Sequence, residues 1–526
     1  MWFCKVCNAS IAFEVIELDP FVASKLIRKE GRVPTVHVEV ANLFLEERIP
    51  GLTSFDSRFF EDDLEFNDFE TIVDDCVISE NSRPAPVYKN KYLNSVVRSL
   101  PGTKKRNTLK CNLITFESRN FNADTTCNVG SAPHVAKRLA IQTADTFFNP
   151  ISLKGCSEDP ISQNKVAFSA WAEKRDGPKW KSLLRECAQC LFDLGNLSRY
   201  TLMVKADGKP KLDSSVLTNY VTGQNIVYSD KVSIARFSHI FQQAAERLKF
   251  VSREKVLFFC GVTIEDFAEQ VEERLGDISQ YYCYELDISK YDKSQAGLMK
   301  DTESILLRML GVEEGVINFF FSGEYDSNVV MHSKELALSI GSQRRSGGAN
   351  TWLGNTMVLL SLLSILLDRK PFDLVLASGD DSLIFSKEPL NLDTTILSSA
   401  YGFDVKLNEL SVPYFCSKYF VSTNDGLRFV PDPFKLLMKA GYLREDDDNL
   451  IHEHFKSFVD LTGSFNSEEV VQELVKLDER KYGYNSHAYE AFCLIHVLRA
   501  NFSQYKRLYD EGSQKGERSK AISKRR

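Results

Sequence analysis

The stretch Asp373-Leu-Val-Leu-Ala-Ser378-Gly379-Asp380-Asp381-Ser382-Leu-Ile-Phe-Ser386 reads as two short apolar strands joined by a turn at Gly379. A Gly-Asp-Asp triplet alone is a weak signal, since chance supplies one in about every eight chains of this length. The setting sharpens it, because adjacent acids sit at the tip of a hairpin whose strands are otherwise apolar. Two like charges side by side repel, and a purely structural turn needs only one acid beside its glycine. A divalent cation is the simplest compensation, and hard carboxylate oxygens suit Mg2+ or Mn2+.

Upstream of this hairpin, Tyr281–Ile288 alternates as a strand, with Tyr282, Tyr284, Leu286 and Ile288 on one face and Cys283, Glu285 and Asp287 on the other. Asp is depleted in strands, so Asp287 at the strand's end needs a reason. Asp292 follows beyond a turn, where capping a helix is the simpler role. Leu298–Leu310 carries a helical apolar stripe, as does 236–249 through Phe237, Ile240, Phe241, Ala244 and Leu248. A helix is also expected at 133–149. Ser346-Gly-Gly-Ala-Asn-Thr351-Trp-Leu-Gly-Asn355-Thr356 is a small-residue loop entering a strongly apolar helix, Thr351–Leu367. Thr351 and Asn355 stand one turn apart on that helix and need polar partners if buried. Lys205-Ala-Asp-Gly-Lys209-Pro-Lys211-Leu-Asp213 forms a stiff basic loop after strand-like Tyr200–Val204, a shape suited to polyphosphate or simply to a solvated turn. Beyond the acidic hairpin, Tyr414–Val421 and Leu427–Val430 flank Asn424-Asp425-Gly426 as a second hairpin, and the chain is helical after Pro431. Strand, helix, helix, hairpin, hairpin is an α+β order with mostly antiparallel sheet.

Composition frames this core. The chain has 526 residues, 43% hydrophobic and 26% charged, which excludes wholesale disorder and disulfide scaffolds. Net charge is −7, but ten acids against one base lie between Asp56 and Glu80, while Lys506–Arg526 carries eight bases and three acids. Twelve cysteines follow no framework spacing; the pairs Cys4–Cys7 and Cys187–Cys190 are too far apart in sequence to suggest one zinc site. No secretory signal and no membrane-length apolar run is seen. Without a G-x-x-x-x-G-K-[ST] loop, a P-loop NTPase is disfavoured, and His452-Glu453-His454 is not a metalloprotease motif.

The order of these parts resembles viral RNA-dependent RNA polymerases. Gly402-Phe-Asp-Val-Lys406 resembles the lysine-bearing segment that follows their Gly-Asp-Asp hairpin. Tyr414-Phe-Cys-Ser-Lys418-Tyr-Phe420 and Asp287-Ile-Ser-Lys-Tyr-Asp292-Lys-Ser-Gln295 are similar to segments of the alphavirus-like supergroup, and within it to plant closterovirus replicases. The likeness covers about 110–440. It departs at Ser233 and His239, where the family pattern has Asn and Pro.

The resemblance implies a right-hand α+β fold. Its parts would be an acidic N-terminal extension (1–100), mainly fingers with a basic loop at 200–213 (101–280), a palm (281–430) with a fingers insertion at about 311–345, and a helical thumb with a basic tail (431–526). It implies two Mg2+ (or Mn2+) ions held by Asp287 and Asp380 with support from Asp381. Asp292 and Asn355 would sense the ribose 2′-hydroxyl, with Ser346 and Thr351 placing them. Lys205, Lys209 and Lys211 would neutralise incoming triphosphate, and Lys406 would be the general acid for pyrophosphate. The implied activity is nucleotidyl transfer from NTPs to an RNA 3′-hydroxyl on an RNA template, in replication of a positive-strand RNA virus. Helicase and methyltransferase proteins of the replicase would be partners. The expected location is the host-cell cytoplasm, in replication complexes bound to membrane through partners rather than a transmembrane anchor of this chain. The rivals are a reverse transcriptase, which shares paired aspartates, and a non-catalytic RNA-binding replicase subunit.

Overall fold

The computed structural model describes residues 35–49, 76–79, 92–93, 95–99, 107–120, 132–174, 197–205, 223–442 and 444–514. Most of the acidic block, both C-x-x-C pairs, Lys209, Lys211 and the end of the basic tail lie outside the described residues. The chain divides into two compact units, one of Thr53–Lys89 with Pro101–Val430, the other of Met1–Leu52, Asn90–Leu100 and Pro431–Arg526.

The larger unit holds two five-stranded sheets. In one, the spatial order is Val405–Leu410, Tyr282–Ile288, Asp381–Ser386, Leu374–Ser378, Val256–Phe258. The first three junctions are antiparallel and the last is parallel. Alternation explains how this sheet is covered on both faces. Tyr284, Leu286, Val375, Ala377 and Ile384 join a core that includes Leu139, Leu306, Met357 and Leu360 from three helices. Leu374, Leu376, Leu383 and Phe385 point the other way, into a cluster with Phe267, Phe415, Phe420 and Phe429. Strands buried on both faces read as continuous apolar runs, as Leu-Val-Leu-Ala does here. The alternation read in Tyr281–Ile288 holds, with Tyr284, Leu286 and Ile288 in one core and Cys283 in the other. Cys283 is buried, and the lack of water pushes its thiol pKa up to about 12, whereas Tyr282 is exposed.

The helix Thr351–Leu366 is buried almost all round. An apolar helix of this kind belongs in a protein core when sheet and helices cover it, as they do here. Among the described residues no helix is long and apolar enough to cross a membrane.

The second sheet runs Cys76–Ile78, Leu336–Ile340, Ser327–Met331, Arg199–Val204, Asn225–Ser229. A third, three-stranded sheet changes one expectation: Tyr414–Val421 is not one strand. Cys416 (φ 47°) and Ser417 (φ 61°) both adopt left-handed backbone, so the chain reverses and Phe415 pairs with Lys418. Two-residue hairpin loops of this kind demand positive φ at both positions, and with neither Gly nor Asn present the sequence carries no turn signal.

The smaller unit is mainly helical, with helices at Pro433–Ala440, Asp448–Leu461, Glu468–Tyr482, Ala488–Leu498 and Phe502–Gln514. Thr35–Arg48 joins them. Phe44 lies edge-on to Phe434 and Phe492, and Arg48 pairs with buried Asp478 at 2.7 Å. Part of the first hundred residues therefore belongs to this unit's core. The architecture is mixed α+β with mixed sheets.

Candidate active site

Asp287 occupies the penultimate position of Tyr282–Ile288, directly opposite Lys406 on the neighbouring strand. On its other side the strand pairs with Asp381–Ser386, Ile384 facing Tyr284. Continuing that antiparallel register brings Asp381 level with Asp287. Leu286 N–H donates to Ser382 Oγ at 3.3 Å, as that register requires. Lys406, Asp287 and Asp381 thus form a row across three strands, and all three are exposed. Cross-strand neighbours on one face share a side of the sheet.

The hairpin tip beside them is held from behind. Gly379 has φ 64°, a conformation that favours glycine in a two-residue loop. Its N–H donates to Thr356 Oγ1 at 3.0 Å, Trp352 Nε1 donates to Ser378 Oγ at 3.1 Å, and the Ser378 hydroxyl donates to the Phe259 carbonyl at 3.0 Å. The buried Thr351–Leu366 helix therefore sets where Asp380 projects. The Cys416 thiol bonds to Asp381, and burial together with that carboxylate's charge pushes the thiol pKa well up, keeping it protonated.

A second group lies behind the carboxylates. Lys290 turns left-handed (φ 50°), and the short helix Tyr291–Ser294 follows. Asp292 sits inside its first turn, so it is not the helix cap. Asn355 Nδ2 donates to Asp292 Oδ1 at 3.1 Å, and the Tyr291 hydroxyl donates to the Asn355 carbonyl at 2.8 Å. Burial raises the Asp292 carboxyl above the ordinary range; Asp380's charge adds to this, while the Asn355 bond and Arg344 oppose it. Asn355 holds Asp292 while the next residue, Thr356, holds Gly379 beside Asp380, so one helix ties the two groups into one site.

The small-residue loop is tied to backbone. Ser346 Oγ accepts from Val227 N–H at 3.2 Å, and Thr351 Oγ1 lies 2.9 Å from both the Arg345 and Gly348 carbonyls. At Gly347 a side chain would collide with Tyr228. Lys205 directly follows the strand Arg199–Val204, exposed, its N–H bonded to the Gln224 carbonyl at 2.7 Å.

Residues without a sequence signal also converge here. Arg344 and Glu303 form a wholly buried ion pair at 2.6 Å, and Gln295 bridges Arg344 and Asn355. Arg119 ends the helix Leu109–Arg119 and feels the charge of Asp292, a pairing that opposes the downward push of burial on its pKa. Separations of 41 and 49 residues explain why no motif exposes the contacts of Arg344 with Glu303 and Gln295.

The donor set bears on cation chemistry. Asp287 and Asp380 are exposed carboxylates, and among the described residues neither enters an ion pair. Oxygen donors without imidazole or thiolate suit Mg2+ or Mn2+. Among the described residues no three His, Cys, Asp or Glu side chains are gathered so that they could hold a metal ion by themselves. A cation such as Mg2+ keeps waters and takes substrate phosphates alongside one or two carboxylates.

Similarity to known proteins identifies the family. The family described as RNA dependent RNA polymerase matches residues 66–508. The replicase polyprotein 1ab of Grapevine leafroll-associated virus 3 is 49% identical over 506 residues, covering 96% of this chain and 18% of the polyprotein. That of Beet yellows virus is 35% identical over 92% of this chain and 16% of its own length. RNA-directed RNA polymerase 2a of Cucumber mosaic virus (strain B) is 27% identical over 90% of this chain and 55% of its own. The chain thus spans under a fifth of the two replicase polyproteins. With a family match running through both the carboxylate row and the Asp292–Asn355 pair, this chain belongs to the viral RNA-dependent RNA polymerase family.

Proposed function

We propose that the chain performs template-directed RNA synthesis, transferring a nucleotide from an NTP to an RNA 3′-hydroxyl during replication of a positive-strand RNA virus. The observation that carries this is the in-register row of Lys406, Asp287 and Asp381, with Asp380 at the adjoining tip and the Asp292–Asn355 pair tied to that tip through Thr356.

Asp287 and Asp380 hold two divalent ions, with Asp381 supporting them. When bound, those ions supply acidity to the primer hydroxyl and charge neutralisation to the triphosphate. Lys406 delivers a proton to the departing pyrophosphate. Asp292 and Asn355 read the ribose 2′-hydroxyl, and a site built to pair a hydroxyl rejects a sugar lacking it. Ser346 and Thr351 shape the loop that positions Asn355, and Lys205, Lys209 and Lys211 neutralise phosphate charge. Positioning and electrostatics dominate, as in phosphoryl transfer generally.

In right-hand terms, the sheet bearing Asp287 is the palm, the sheet bearing Lys205 belongs to the fingers, and the helical unit after Pro431 is the thumb. Other replicase proteins, helicase and methyltransferase among them, are the partners. They would bring the chain to membrane-bound complexes in the host cytoplasm.

The test is purified chain with a homopolymeric RNA template, labelled NTP and Mg2+. Wild type makes ribonuclease-sensitive product; Asp380→Ala makes none and melts at the wild-type temperature, because an exposed tip residue contributes little packing. Normal elongation by that variant overturns the metal assignment. In a parallel reaction supplied with labelled dNTPs, a ribonuclease-resistant DNA product would indicate reverse transcription, and metal-independent RNA binding without incorporation would indicate a non-catalytic subunit.

A further inference from the structure

Behind the Asp292–Asn355 pair runs a line of buried hydrogen bonds with one direction. Arg344 Nε donates to Gln295 Oε1 at 2.9 Å, Gln295 Nε2 donates to Asn355 Oδ1 at 2.9 Å, and Asn355 Nδ2 donates to Asp292 Oδ1 at 3.1 Å. Arg344 is anchored in turn. Its Nη1 and Nη2 reach both Glu303 oxygens at 3.1 and 2.6 Å, and Asn350 Nδ2 donates to Glu303 Oε1 at 2.6 Å. Gln295, Arg344 and Glu303 are fully shielded from solvent.

The chemistry of the two ends dictates the direction. A guanidinium only donates and an ionised carboxylate only accepts. Gln295 must therefore turn its oxygen to Arg344, which leaves its amide hydrogens for Asn355. Asn355 must then turn its oxygen to Gln295, which points its own NH2 group at Asp292. One hydrogen of that NH2 goes to the carboxylate and the second remains for an incoming group. An amide alone rotates between two nearly isosteric states; this one is locked from a distance.

We infer that Gln295, fixed by the Arg344–Glu303 pair, is a positioning residue for sugar selection: it locks the Asn355 amide so that its NH2 faces the ribose 2′-oxygen. This rests on the reading of Asp292 and Asn355 as the ribose sensor. Gln295 itself touches no substrate. Its removal leaves Asn355 Oδ1 buried without a donor and frees the amide to turn over.

The experiment measures kcat and KM for ATP and dATP on a poly(U) template with the full chain, for wild type, Gln295→Met, Asn355→Ala and the double variant. The ratio of the two kcat/KM values is taken within one preparation, so a lowered folded fraction cancels. Gln295→Met is expected to lower the ATP preference about ten-fold, chiefly through a higher KM for ATP. The double variant is expected to lose no more preference than Asn355→Ala alone. Gln295→Glu keeps the shape and the acceptor for Arg344 but lacks the donor. It should show the same loss, and it provides the reading where the methionine variant yields no active enzyme. An unchanged ratio in the Gln295 variants, with a lowered one in Asn355→Ala, overturns the inference and leaves the ribose reading standing. Additive losses in the double variant also overturn it. An unchanged ratio in Asn355→Ala overturns the ribose reading itself.

Discussion

Lys406 faces Asp287 across an antiparallel strand pair, yet no ion pair joins them in the described structure. An ammonium group on the same face as the carboxylates proposed to bind metal would be placed to serve substrate rather than to neutralise protein. Lys406→Leu is therefore expected to lower kcat by about a hundred-fold with little change in the KM for NTP, the scale for losing a general acid. Single-turnover incorporation checks this; an unchanged kcat would remove Lys406 from the chemistry.

Asn355→Asp replaces the amide donor with a second carboxylate beside Asp292. The two acids repel, and the bond from Gln295 remains while the bond to Asp292 is lost. Preference for ATP over dATP should fall at least ten-fold or so. Competition between the two substrates on one template measures it.

Gly354 lies where a side chain would run into the Arg344 guanidinium and the Glu303 carboxylate. Gly354→Ala is expected to destabilise the larger unit by about 1–3 kcal/mol, the usual cost of overpacking a filled interior. Gly155 makes the control, since its helix surface is open and Gly155→Ala should stabilise by about 0.5–1 kcal/mol. Urea unfolding of both variants tests the contrast.

His239 is buried against the Phe168 ring, and burial lowers its pKa while the Ala235 carbonyl opposes the shift. The unfolded chain thus takes up the proton first as pH falls. The contribution to stability is full above the ordinary value of about 6.5 and is lost as pH drops through the lower folded value. The urea midpoint should fall from pH 7.5 to 5.5, and His239→Leu should flatten that dependence. An equal slope in the variant would place the acid sensitivity elsewhere.

Much of the site was legible because its signals are local. The Ser378–Asp381 turn needs only a glycine between apolar strands, and the Thr351–Leu366 helix announces itself by continuous hydrophobicity. Asp287 stands out in the sequence because an acid at a strand's end is out of place. The Cys416–Ser417 reversal was hidden, since no turn-forming residue stands there; the flanking Phe415 and Phe420 share one core cluster with Phe429. The place of Thr35–Arg48 in the C-terminal helical unit was hidden too, because Phe44 and Phe492 meet across hundreds of residues.

Local pattern alone encodes the Ser378–Asp381 turn between apolar strands, the Thr351–Leu366 helix and the acids at Asp287, Asp380 and Asp381, all properties of neighbouring residues. Only the tertiary structure decided that Asp381 comes level with Asp287, that Lys406 stands opposite, and that Gln295 hands the polarity of a buried arginine to Asn355. Sheet register and the need to pair every buried polar group are settled between distant segments, and no local pattern encodes them.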